Sequence, residues 1–86
     1  MVQKLDVPVT AEGIFDHRRR SLDFRKICWE GREYEIKKLG YHHSFRRGRT
    51  LFHVFSVASD AMFFRLVLDT ENLTIRVMEV ADGEVD

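Results

Sequence analysis

Ile27-Cys28-Trp29-Glu30-Gly31-Arg32-Glu33-Tyr34 sets two strand-forming arms around a Glu-Gly pair. A two-residue turn at Glu30-Gly31 uses the glycine for the positive φ that tight hairpin turns require. It places Trp29 opposite Arg32, Ile27 opposite Tyr34 and Arg25 opposite Ile36 on one face. Cys28 then meets Glu33, and Lys26 meets Glu35, on the other. The first face gains a Trp29–Arg32 cation–π contact beside an Ile–Tyr pair, and the second a Lys–Glu pair. Both faces are chemically consistent, so the segment reads as a β-hairpin.

Period-two patterning carries the reading outward. Residues 49–58 pair with 61–69 through a turn at Ser59-Asp60, which sets Val57 against Met62, Phe55 against Phe64, His53 against Leu66 and Leu51 against Leu68. Phe52 and Val54 fall on the reverse face of the first strand, which marks it as central and covered on both sides. Asp69-Thr70-Glu71-Asn72 has turn chemistry and leads into a strand over Leu73–Val77. Pro8 suits an edge strand, because it cannot donate to a ladder. A short helix over residues 10–21 is weakened by Gly13 and by the crowded Arg18-Arg19-Arg20. The expected fold is all-β, an antiparallel meander of five or six strands. It curls into a small SH3-like or partly open barrel to hide its apolar face. The alternative is a curled sheet that dimerises.

Eighty-six residues are read as one domain, with an N-terminal strand and irregular segment over 1–21 and a frayed acidic tail over 81–86. A domain of this size buries roughly 60–65% of its unfolded surface, so its stability is modest. A hydrophobic content of 44% supports a core and argues against disorder. Cys28 is the sole cysteine, which excludes an internal disulfide and a cysteine-based zinc finger. Neither a signal peptide nor a membrane-spanning stretch stands out, and the expected location is the cytoplasm.

Trp29-Glu30-Gly31-Arg32-Glu33-Tyr34-Glu35-Ile36 resembles a W-x-G-R-x-Y-x-I/V hairpin found in small bacterial domains of unknown function. The resemblance is strongest over residues 22–39 and looser to about residue 78. It implies an all-β fold and brings no established activity.

The formal net charge is zero, yet residues 17–49 hold 11 Lys+Arg against 4 Asp+Glu, while residues 50–86 hold 2 against 7. This asymmetry points to an acidic or polyanionic partner, or to self-association. Residues 40–48 read as a long loop between two hairpins that mixes aromatic and basic side chains. Arg46, Arg47 and Arg49 would meet phosphates, while Tyr41, Phe45 and the imidazoles of His42 and His43 would stack on unpaired bases. Arg18, Arg19 and Arg20 extend that surface if the N-terminal segment folds back. The plainer alternative is a solvated loop whose arginines pair with the acidic tail. Nucleic-acid binders of this kind are usually basic overall, and no proper RRM signature is present.

His42 and His43 would point to opposite sides of a strand, so they do not share an ion, and no metal site or cofactor is expected. His53 alternates with Leu51, Phe55 and Val57, which suits a core or rim histidine. Pairs such as Cys28 with a histidine, or Ser56 or Ser59 with Asp60 and His53, lack a surrounding catalytic motif. Trp29, Arg32 and Tyr34 form either an aromatic–arginine interaction hot spot or part of the core. The expectation is therefore a binding domain rather than an enzyme. Association with a protein partner or with itself comes first, and nucleic-acid binding through residues 18–20 and 41–49 is the competitor.

Overall fold

β-branched and aromatic residues at alternate positions build strands through nearly the whole chain, and four short turns with positive φ punctuate the described residues. The structure, a computed structural model, describes residues 2–82. Its strands are β1 (Val2–Pro8), β2 (Thr10–Asp16), β3 (Ser21–Trp29), β4 (Arg32–Glu35), β5 (Lys38–Arg47), β6 (Thr50–Ala58), β7 (Met62–Asp69) and β8 (Thr74–Asp82). Five form one sheet in the order β1-β8-β7-β6-β5, and three form a second in the order β2-β3-β4. Every pairing is antiparallel. The all-β class holds, and the two sheets do not close into a barrel.

Two corners join the sheets. At the first, Val9 N donates to Ile75 O (2.9 Å) as the chain passes from β1 to β2. At the second, Ile36 N donates to Arg25 O (2.9 Å) and Lys37 N to Ala58 O (2.8 Å), one bond to each sheet. Bent strands of this kind let one run serve two packed sheets. Counted through the corners, the eight strands are six continuous runs, which is the upper end of the expected number. Pro8 lies on edge strand β1, as its missing N–H requires.

The hairpin at Glu30-Gly31 has the expected register, with Trp29 opposite Arg32 and Ile27 opposite Tyr34. Glu30 (φ 52°) and Gly31 (φ 75°) both take positive φ, the signature of a type I′ turn. Two expected contacts change. Lys26 faces Glu35 across the ladder, but its ammonium stands 3.4 Å from Glu33 and 3.9 Å from Glu12. Glu35 pairs instead with Lys37 at 2.8 Å. The Arg32 guanidinium lies over Tyr34, 5.7 Å from the ring centroid, because Trp29 is turned into the core.

The β6–β7 hairpin is shifted by two residues from expectation: Val57 meets Phe64, Phe55 meets Leu66 and His53 meets Leu68. The Ser59 hydroxyl accepts from Ala61 N (3.3 Å) and Met62 N (3.0 Å), and Ser59 N donates to Met62 O (2.8 Å). That centres the turn on Asp60-Ala61. A two-residue slip keeps every side chain on its face, so the apolar pattern survives. Residues 10–16 form β2 rather than a helix. A Cβ on Gly13 would lie 2.8 Å from the Asp23 carbonyl oxygen, so glycine is what admits the β2–β3 bulge there. At the chain's end, Ala81 and Asp82 complete β8 instead of fraying, and the remainder of the expected tail lies outside the described residues.

Between the sheets, Trp29 and Tyr34 pack edge-on against Phe64, and Phe24 packs edge-on against Phe55. Ile27, Leu66 and Val77 are fully buried, and no polar or charged residue is buried among those described. Among the described residues, no helix is long and apolar enough to cross a membrane.

Neighbouring phenylalanines test the face assignment. Phe64→Ala should cost about 3–5 kcal/mol in denaturant unfolding, whereas Phe63→Ala, on the opposite face, should cost about 1 kcal/mol or less. Equal losses would contradict the register. Leu73 is 79% exposed at φ 57°. Leu73→Gly should therefore stabilise the domain by about 1 kcal/mol, and a lowered midpoint would refute strain at this turn.

Candidate functional site

The expected loop over residues 40–48 is mostly strand. β5 runs from Lys38 to Arg47, pairs with β6 through Phe45 opposite Phe52 and Arg47 opposite Thr50, and forms the sheet edge. The alternation at 41, 43 and 45 was a visible strand signal, masked by the basic run that follows. As a strand, the segment divides its side chains between two faces. Tyr41, His43, Phe45 and Arg47 point outward with Val54 and Phe52, while His42, Ser44 and Arg46 lie on the side of Phe55 and the core.

The outward face is aromatic and open. Tyr41 is 59% exposed, Phe63 41% and Phe45 37%. The Phe45 and Phe52 rings stack at 5.1 Å, and Tyr41 leans on His43 at 5.2 Å. Val54 is only 4% exposed on this face, sealed by neighbouring side chains alone. β6 is thus central, as expected. His43 Nδ1 is buried there without a partner. Beside Tyr41, a groove of about 450 Å³ runs across the sheet past Ser56, Phe63, Arg65, Glu79 and Ala81.

The basic residues are divided as well. Arg18, Arg19 and Arg20 occupy the β2–β3 turn of the smaller sheet, whereas Arg46, Arg47 and Arg49 close β5 and enter the next turn. Asp16 accepts from the Arg18 and Arg19 backbone amides, and the Arg19 guanidinium pairs with Asp23 (2.7 Å) and Asp16 (3.3 Å). Arg65 pairs with Glu79 and Arg76 with Asp6. Glu12 and Glu33 raise the Lys26 pKa, and the hydrogen bond from Lys37 lowers that of Glu35. Among the described residues, Lys38, Arg46, Arg47 and Arg49 have no carboxylate within ion-pair distance. Trp29, at 9% exposure, belongs to the core, which leaves Arg32 and Tyr34 without it as a surface hot spot.

Sequence patterning also missed a cross-strand pair on the inner side. His42 stacks on Phe55 (4.5 Å, 3°), and its Nε2 lies 2.9 Å from His53 Nδ1. Burial, followed by the neighbouring His53 and His43, pushes the His42 pKa below its ordinary 6.5.

Comparison with protein families, with curated proteins and with solved structures finds no match.

A depressed imidazole pKa means that the unfolded chain takes up the proton first, so stability should fall as pH drops through 6.5. An NMR titration should place the His42 midpoint below 6.5, and His42→Phe should flatten that part of the stability profile. A midpoint above 6.5 would contradict the arrangement.

Proposed function

We propose that this domain binds rather than catalyses, and that it captures an extended acidic segment of a protein partner by adding a strand to β5. The observation that carries this reading is the chemistry of the edge itself. β5 spans ten residues from Lys38 to Arg47, pairs with β6 on one side only, and contains no carboxylate. An edge of that length offers a row of backbone donors and acceptors to an incoming strand. Lys38 at one end and Arg46 and Arg47 at the other add a charge preference, and Tyr41 and Phe45 give alternate partner side chains an apolar seat. The same charges disfavour pairing of β5 with β5 of a second copy. An antiparallel alignment centred on His42 and His43 would set Lys38 against Arg47 at both ends.

A second reading follows from Tyr41, Phe45 and Arg47 sharing one face, an arrangement that also suits stacked bases and phosphates. Fluorescence anisotropy separates the two. A labelled peptide of alternating Glu and Val should bind, a Lys/Val peptide should not, and the double variant Arg46→Glu/Arg47→Glu should weaken the first about tenfold. Equal binding of both peptides, or no effect of the double variant, would refute the strand-addition reading. Tighter binding of oligothymidine, lost in Tyr41→Ala, would transfer the function to nucleic acid.

A further inference from the structure

Among the described glycines, Gly40 is the one whose missing side chain the backbone does not explain. Gly31 and Gly48 take positive φ, and Gly13 has no room for a Cβ beside the Asp23 carbonyl oxygen. Gly40 does not take positive φ, and a Cβ there would meet only the Ser56 carbonyl oxygen at 3.5 Å, an ordinary contact. Glycine within a strand packs nothing and weakens the strand, and it often marks a place where another molecule approaches closely.

At Gly40 the consequence is an opening. The residue sits at the β5 bulge between Leu39 and Tyr41 and lines the groove of about 450 Å³ at the sheet edge. Farther in, Lys38 lies opposite Ala58, Ala58 opposite Phe63, and Phe63 opposite Ala81. Two small residues thus flank an exposed ring and leave a hollow on either side of it. Tyr41 walls the hollow over Ala58. Lys38 stands at its rim without an ion-pair partner among the described residues, whereas Arg65 on the far side is already held by Glu79.

Building on the strand-addition reading, we infer that this hollow is the anchor pocket of the interface and takes one large aromatic side chain from the acidic strand paired with β5.

Reach and chemistry both favour a ring. Adjacent strands lie about 4.8 Å apart, so a side chain on the added strand must cross β5 to enter the hollow. Valine is too short for that span, while a large aromatic ring passes over the gap that Gly40 leaves. Inside, Tyr41 and Phe63 offer offset or edge-on ring contacts, and the Lys38 ammonium offers a cation–π contact. Aromatic anchors seated in pockets carry much of the affinity of many interfaces, and surrounding charges set the choice of partner. Every ladder of the larger sheet is antiparallel, and Gly40 lies near the start of β5. An antiparallel addition therefore puts the anchor near the C-terminal end of the bound segment.

Fluorescence anisotropy on the full chain with three labelled peptides tests the pocket. One is the alternating Glu/Val peptide, and the others replace its last or its first valine with tryptophan. Tryptophan near the C-terminal end should tighten binding about tenfold, and tryptophan near the N-terminal end about twofold or less. Gly40→Val, which closes the opening, and Ala58→Leu, which fills the hollow, should each abolish that gain. Both variants should melt cooperatively and bind the parent peptide as before. A C-terminal tryptophan that adds nothing, or a gain that survives both substitutions, would overturn the anchor pocket and leave strand addition standing. Failure of all three peptides to bind would remove strand addition itself, and the anchor with it.

Discussion

Phe64 receives Trp29 and Tyr34 edge-on from the opposite sheet, and the union of the two sheets depends on that three-ring contact. Neither sheet could stand alone. The three-stranded sheet has one usable apolar face, and that face puts Ile27 and Trp29 where only Phe64, Val57 and their neighbours exclude water. Edge-on aromatic pairs add directional preference to the burial of large rings, so they help select a single stacking of the sheets. With no buried polar residue among those described to fix alignment, ring geometry and the two strand corners carry that task.

Unequal sheet widths determine what is left over. One side of the larger sheet faces away from the smaller sheet, and because three strands cannot cover five, the rim of its inner face is left open as well. The outward side keeps Tyr41, Phe45 and Phe63 in contact with solvent. The inner rim keeps the His42–His53 pair accessible while Phe55 remains core. Both features therefore belong to the same edge strand, one on each face. On the larger sheet Arg65 is neutralised by Glu79 and Arg76 by Asp6, whereas β5 carries three cations, Lys38, Arg46 and Arg47, with no ion-pair partner among the described residues.

Much of the architecture was legible in local chemistry. Glu30-Gly31 identified the type I′ hairpin and its register, since a glycine with positive φ at that spacing leaves little choice. The faces of β6 and β7 were also readable, although the Ser59 hydroxyl moved the turn by one residue and the pairing by two. Residues 10–16 were not legible as a strand, and the alternation at Tyr41, His43 and Phe45 was masked by the basic run that follows. Gly13 looked like a helix defect when its role is to admit the Asp23 carbonyl, and the arginines after Phe45 looked like a solvated loop. Long-range facts were hidden for a simpler reason. The approach of His42 to His53 depends on which strands pair and in what register, and alternation within either segment is blind to it.

Strand β1 pairs with β8, so Val2 lies opposite Ala81 and the first and last described strands meet in one ladder. Such a contact encloses nearly the entire sequence, and its loop-closure entropy is repaid only after the intervening strands are in place. During synthesis, a chain that lacks residues 74–82 leaves β1 without its neighbour and β7 with a bare edge. The order of assembly is thereby constrained: the hairpins form locally, and the five-stranded sheet completes itself only when the last strand becomes available to receive the first.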